Sequence, residues 1–427
     1  MKRKIIAALL ATAAVLGVNA QSKSIRVLLA NHPYGEMLKS VIPEYERQTG
    51  VKVFIESYDE NQLTQKLTTE FATRASTVDV FMTRPLQEGK MFFRNGWYEQ
   101  LDSNLKNSRR TPASYDFADY TRSSVDAVTY KKGLYSFPLV TEWQVLYYRT
   151  DLFNKAGLKP PTNIEELLAA AKRLHDPANG IYGIVSRGQR GAAVTQFSSY
   201  LYNHGGDFLV DGKATIDTPA AIEALKFYGK MLKDYGPPGV TNMSWAQGQA
   251  LFQAGKVAMW TDASVFLGNL TDPAKSQVSD SVGVAMLPSG PKANAPFIVV
   301  SWAMALSKQS KNKDLAYDFL LWATNKENAK AAMIDKGITM ARNSGWTDAK
   351  VLAKFDSQLA ATAVKIGPIG TPYDRPVMTA VGEARDAIGD VIVLSIDTGG
   401  TGDIAGAAKN AAKKINELLE AAGEYGQ

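Results

Sequence analysis

The sequence predicts an α/β protein whose sheet of parallel strands is covered by helices, and two observations carry that prediction. Short runs rich in β-forming residues alternate with stretches of helical spacing, the pattern of strands joined by crossover helices. Each of the first strand-like runs also ends at a polar cluster, and such sheets bind ligands in the crevice beyond the carboxyl ends of their strands. The first run is 24–30 (SIRVLLA). From Glu36 to Thr49 the spacing is helical, with Met37, Val41, Ile42 and Tyr45 on one face and Gly50 as the stop. VKVFIES is the second strand, Gln62 to Arg74 the next helix and VDVFMT the third strand. Their ends carry Asn31–His32, then Tyr58–Asp59–Glu60–Asn61, then Thr83–Arg84.

From Lys131 the texture changes. A Gly turn and a strand lead to Pro160–Pro161 and a helix that Thr162 or Asn163 can cap, with Glu165 and Glu166 favourably placed in its first turn. Asp211–Gly212 between apolar runs predicts a hairpin. AAIEALKFYGKMLKDYGPPG is an amphipathic helix stopped by Gly236 and two prolines, and a further helix spans 247–253. GKVAMWTD is a strand, and GVAMLPSGP with FIVVSWAMALS reads as a strand pair around a Gly/Pro/Asn loop. The rest is helical to the glycines near Gly399, after which one last amphipathic helix follows.

The composition sets outer limits. A chain of 427 residues predicts two or three domains. With no cysteine it has no thiolate zinc site, iron–sulfur cluster, Cys nucleophile or disulfide. Its three histidines stand far apart without an HExxH pair, so neither a metal site nor a cofactor is expected. The formal charge of +6 is too small and too dispersed for a nucleic-acid groove. Half of that charge comes from Lys2, Arg3 and Lys4, which open MKRKIIAALLATAAVLGVNA. A basic start, a short apolar core and small residues before position 21 form an export signal, with cleavage expected after Ala20. The apolar stretch is shorter than the ~20 residues of a bilayer span. Without a Cys to acylate, the exported protein is expected to be free of a lipid anchor, in a periplasm.

Several ordered strings then resemble one family. GLYSFPLVTEWQVLYYRTDLFNKAGLKPPTNIEELLAAAKRL, Gly205–Gly206, ALFQAGKVAMWTDASV and VGVAMLPSGP before FIVVSWAMALSKQSKNKDLAYDFLLWAT resemble the extracellular solute-binding proteins of ABC sugar importers, the maltose-binding-like group. DPANGIYGI, YGPPG, MWTDASV and LTDPAKSQVSDSVG look most like its mannitol/sorbitol polyol-binding branch. The resemblance implies a two-lobed type II periplasmic binding fold, with a ligand cleft between lobes joined by hinge crossings. It implies lobe 1 at about 24–140 and 265–305, and lobe 2 at about 141–264 and 306–427. It further implies a monomer that captures a polyol or small sugar and delivers it to an inner-membrane ABC permease.

Polyols and sugars present many hydroxyls and uncharged C–H surface. Carboxylates, Arg, Asn and Gln pair with the former, and Trp and Tyr cover the latter. The candidates from the first lobe are Asn31, His32, Glu60, Asn61 and Arg84, though a lone His at such a place also serves as a helix cap. Glu142–Trp143 follow the PLV strand at the first crossing, where the family commonly places ligand contacts. Trp260 and Asp262 end the strand at the second crossing, and Trp302 lies in the third. Either tryptophan of the first two crossings also reads as core. Arg187 and Arg190 in RGQR, and Arg375 in TPYDRPVM, match regions where the polyol branch carries binding residues.

The enzyme signatures GxSxG and the P-loop are absent. Gly400, Gly402 and Ala405 form a GxGxxA too near the end of the chain for a dinucleotide fold, and read as a turn before the last helix. A secreted carbohydrate-active hydrolase using two carboxylates is the alternative of another class. An accessory or chemosensory binding role uses the same residues.

Overall fold

The computed structural model of the protein describes residues 23–74 and 77–427, so the expected export signal, 1–20, lies outside the described residues. Its strands are β1 (Ser24–Ala30), β2 (Lys52–Tyr58), β3 (Val80–Thr83), β4 (Thr129–Tyr130), β5 (Gly133–Leu134), β6 (Phe137–Arg149), β7 (Leu209–Val210), β8 (Lys213–Ala214), β9 (Met259–Ala263), β10 (Val282–Met286) and β11 (Ile298–Leu306). One seven-stranded sheet runs β10-β6-β11-β3-β1-β2, with β9 also on β6.

The sheet is mixed, which corrects the parallel sheet expected from the strand–helix alternation. β1 is parallel to β2 and β3, but β11 runs antiparallel to β3 and β6, and β6 antiparallel to β9 and β10. Only the first strands have the crossover helices that force parallel pairing. The expected β10–β11 pair does not form either, because each strand pairs with β6 instead. The intervening loop is tied elsewhere: Lys292 N–H donates to the Asn203 carbonyl, Ala295 N–H to Asn203 Oδ1 and Phe297 N–H to Ser199 Oγ.

β6 is the element that joins the two halves. Its stretch Phe137–Trp143 pairs with β11, and Val145–Arg149 pairs with β10 while Gln144–Tyr148 pairs with β9. The first half comprises β1, β2, β3 and their helices. The helix Pro33–Thr49 is capped by His32, and Glu60–Ala72 by Asp59, whose carboxylate accepts the Asn61 and Gln62 N–H groups. Val27, Leu28, Leu29 and Ala30 are all fully buried, as expected of a strand with both faces covered. Residues 313–336, expected with the second lobe, pack on first-half elements. The helix Lys313–Ala323 lies against β11 and β1, and Lys326–Lys336 against Pro33–Thr49.

In the second half, the helices Arg190–Asn203, Pro219–Tyr235 and Val381–Thr398 pack on one another, and Ile404–Ala421 packs on the last. Gly229 permits this approach, since a Cβ there lies 2.4 Å from the Ser395 carbonyl carbon. Ser395 Oγ in turn donates to the Leu225 carbonyl at 2.7 Å. Asn163 caps the helix Ile164–Leu174, and Asp211–Gly212 turns the β7–β8 hairpin with both φ angles positive. Gly399 ends one helix and Asp403 caps the next, so the GxGxxA is a helix-to-helix turn.

Candidate functional site

The carboxyl ends of β1, β2 and β3 bring His32, Glu60 and Arg84 to one side of a cleft. His32 caps its helix through Nδ1, which accepts the Tyr34 N–H at 3.1 Å. That acceptor role places the ring proton on Nε2, which donates to Glu142 Oε1 at 3.3 Å. Arg84 Nη1 donates to Glu60 Oε2 at 3.0 Å, Nη2 to Thr64 Oγ1 at 2.7 Å and Nε to Glu88 at 3.3 Å. Burial raises the Glu60 carboxyl, but the positive charges around it, Arg84 foremost with Arg187 and Arg375, outweigh it and hold the group below its ordinary range.

The crossing strands form the floor. Glu142 comes from β6, and a bulge in β11 alters the alternation so that Ser301 and Trp302 both line the cleft. The Trp302 ring lies 5.6 Å from the His32 ring, with the Arg84 guanidinium 5.6 Å from its centroid.

The opposite side carries Arg187, Thr195, Asp374 and Arg375 with the aromatic pair Trp245 and Phe266. Arg187 follows Val185, which bridges to Trp260 of β9. Gly188 keeps this loop against the chain at 240, where a Cβ would stand 2.3 Å from the Val240 carbonyl oxygen. Asp262 lies behind Arg187, fully buried, and accepts from its Nε at 3.0 Å and Nη2 at 2.5 Å. Gln196 Nε2 and the Ala263 N–H add two further donors to Asp262 Oδ1. Burial pushes the Asp262 carboxyl up, while Arg187 and the other converging donors favour its charged form. Arg375 is held by Asp374, by Thr195 Oγ1 at 3.2 Å, and across the cleft by Gln87 Oε1 at 2.7 Å.

His32, Glu60, Arg84, Glu142, Arg187, Trp302 and Arg375 therefore meet in one place, while the remaining candidates do not line it. Trp143 points to the other face of β6, where it is buried against Trp346 and donates to Thr362 Oγ1 at 2.8 Å. Consecutive strand residues face opposite ways, so Glu142 and Trp143 cannot share the cleft. Trp260 is fully buried between Tyr147 and Phe266, and Asp262 acts from behind Arg187. Arg190 turns outward to Asp390 and Asp386. Asn61 is exposed in the first turn of its helix, and Asn31 borders a neighbouring groove with His32 and Trp245. The residues that sequence reasoning missed are Trp245, Phe266, Thr195, Asp374 and Gln87. Trp245 stacks on Phe266 at 5.2 Å, and Phe266 on Trp260 at 5.4 Å, so Trp260, a candidate ligand contact in the sequence, is the support of another tryptophan.

Chemically, the lining places the guanidiniums of Arg84, Arg187 and Arg375 opposite the carboxylates of Glu60, Glu142 and Asp374. The charges balance, which suits an uncharged ligand rich in hydroxyls, with aromatic rings for its C–H surface. The free volume between the walls is about 40 Å³, room for only a few water molecules.

A family model described as bacterial extracellular solute-binding protein matches residues 30–330. The Mannitol-binding protein of Pseudomonas aeruginosa is 32% identical, over 76% of this chain and 77% of that protein. An ABC transporter solute-binding protein from Agrobacterium radiobacter, solved in complex with ribitol, matches with a TM-score of 0.84 at 29% identity, covering 93% of this chain and 98% of its own. Another from Agrobacterium vitis, with bound D-mannitol, matches with a TM-score of 0.82 at 26% identity, covering 94% and 99%.

Proposed function

The chain belongs to the bacterial extracellular solute-binding proteins, and from that premise we propose that its cleft captures a polyol or small sugar for delivery to an ABC permease. The observation that carries the ligand class is the charge-balanced lining, with three guanidiniums and three carboxylates among aromatic rings. Each charged group offers a hydroxyl a strong hydrogen bond, and no net charge remains to select an ion. The ligands in the mannitol-binding relative and in the ribitol and mannitol complexes agree with that chemistry. His32, Glu60, Arg84, Glu142, Arg187, Trp302, Arg375 and Trp245 are the proposed contacts, with Asp262 orienting Arg187. The proposed lobes follow the expected division, except that 313–336 join the first lobe and β10, which pairs with Val145–Arg149 of β6, joins the second. The chain acts as a monomer in the periplasm after cleavage behind Ala20.

Binding without turnover is the better reading of the carboxylates in the cleft. A glycosidase acid needs a raised pKa, whereas the Glu60 carboxyl is held low by its arginines.

A thermal-shift screen of polyols and sugars tests the ligand class, because a specific ligand raises the melting temperature by mass action. A linear polyol is expected to give the largest shift, and Asp262→Ala or Glu142→Ala to weaken its binding more than about tenfold, ~1.4 kcal/mol. If no polyol or sugar shifts the melting temperature, the ligand class is wrong; consumption of a disaccharide points to the hydrolase.

A further inference from the structure

The lobes touch at a second place, away from the cleft. Segment 85–94 belongs to the first lobe, where Phe92 is buried against Phe71, Phe81 and Tyr98. Within it, Gln87 faces the cleft and accepts from Arg375 and Arg385, while Lys90 and Arg94 face the carboxyl-terminal residues of the second lobe. Those residues are tied down locally. Glu424 N–H donates to the Leu419 carbonyl of the last helix, and Gly426 N–H to the Gly212 carbonyl of the β7–β8 hairpin.

Glu424 is the centre of this contact and is only 8% exposed. From its own lobe, the Thr379 N–H donates to Oε2 at 3.0 Å and the Thr379 hydroxyl to Oε1 at 2.5 Å. From the other lobe, Lys90 Nζ stands 3.0 Å and Arg94 Nη1 3.1 Å from Oε1. Arg94 Nη1 also reaches the Ala422 carbonyl at 2.9 Å and Thr379 Oγ1 at 3.1 Å. Thr379 is four residues beyond Arg375, and Lys90 three beyond Gln87, so the same two segments carry both the cleft contact and the outer one. Lys90, Arg94, Thr379 and Glu424 are absent from the cleft lining, and Lys90, Arg94 and Glu424 stand at a surface groove.

We propose that Lys90 and Arg94 on one lobe and Glu424 on the other form a latch that sets the closed population, and with it the ligand affinity, without touching ligand. The latch rests on the capture reading above. Apparent affinity scales with the fraction of molecules in the binding-competent form, so a contact made only on closure tunes affinity from a distance. Opening separates Lys90 and Arg94 from Glu424 but leaves Thr379 on its own lobe. The carboxylate thus stays oriented by Thr379 while its cationic partners leave. The two cations are partly exposed, with side-chain exposures of 38% and 45%, so salt reaches them.

The chain has no native cysteine, so spin labels at Ser108→Cys and Lys172→Cys report the interlobe distance cleanly. In ligand-free protein, Lys90→Gln and Arg94→Gln are expected to shift the distances to longer values. Mannitol affinity is expected to fall about three- to tenfold. Glu424→Gln removes the same charge pairing from the other side, and Arg94→Gln added to it should cost less than it does alone. Raising the salt from about 50 to about 500 mM should widen the native distances and leave the double variant unchanged. Unchanged ligand-free distances in the lysine and arginine variants overturn the latch, whatever happens to affinity. If mannitol and other polyols fail to bind native protein while these variants still widen it, the latch stands and the ligand class falls.

Discussion

At residue scale, the tryptophans separate structural from ligand-facing roles. Trp260 is fully buried in a stack that runs from Tyr147 through Trp260 and Phe266 to Trp245, and only the last two reach the cleft. Truncating Trp260 leaves a large cavity, so Trp260→Ala is expected to destabilise the fold by about 3–5 kcal/mol. Trp245 is half-buried at the start of the helix Trp245–Gln253, and Trp245→Ala is expected to lower ligand affinity with little change in stability. Chemical denaturation and calorimetry on both variants check the distinction. Equal stability loss in the two would remove Trp245 from the proposed contacts. The sequence pointed to Trp260 because it ends a strand. It hid Trp245, whose place depends on stacking with a ring 21 positions away. His32, Glu60 and Arg84 were legible because strand ends converge in any sheet of this kind. Asp374 was not, since nothing local shows that it faces Arg375 and the cleft together.

Among elements, the first strands and helices follow their sequence signals within a few residues, and the pairing of the later strands does not. β10 and β11 are separated by a Gly/Pro/Asn loop, the local signature of a hairpin, yet the loop is held by Asn203 and β6 lies between them. Tertiary contacts decide such cases. The same holds for the link between β1 and the helix Glu60–Ala72, where Arg26 meets Glu70 through Nη1 at 2.7 Å and Nη2 at 2.8 Å. This pairing draws the Glu70 carboxyl down to about 2. A carboxyl with a lowered folded value contributes stability that is fully present above its unfolded value and is lost as the pH falls through the folded one. Allowing for partial exposure, the contribution is about 1–2 kcal/mol above about pH 5, disappearing toward pH 2. Glu70→Gln is therefore expected to lower the urea midpoint at neutral pH and to flatten its fall between those limits. Parallel curves for the two proteins would rule out this assignment.

For the whole molecule, the decisive feature is that the lobes share a strand. The division between 24–140 and 141–264, which the family resemblance implied, falls inside β6, with no linker. Residues Phe137–Trp143 complete the sheet of one lobe and Val145–Arg149 that of the other. Unfolding either lobe strips β6 of half its partners and leaves buried backbone donors and acceptors unpaired, each a substantial penalty. Two lobes connected by a flexible linker would melt separately, whereas lobes that share a central strand should melt as one unit. Scanning calorimetry without ligand is expected to give a single peak whose van't Hoff and calorimetric enthalpies agree. A polyol that bridges both lobes should move that peak upward without splitting it, because it binds only the folded, closed form. Two resolved transitions would mean that β6 does not couple the lobes. The hinge would then lie in a segment that melts between them, and closure could not be transmitted through the strand that carries Glu142.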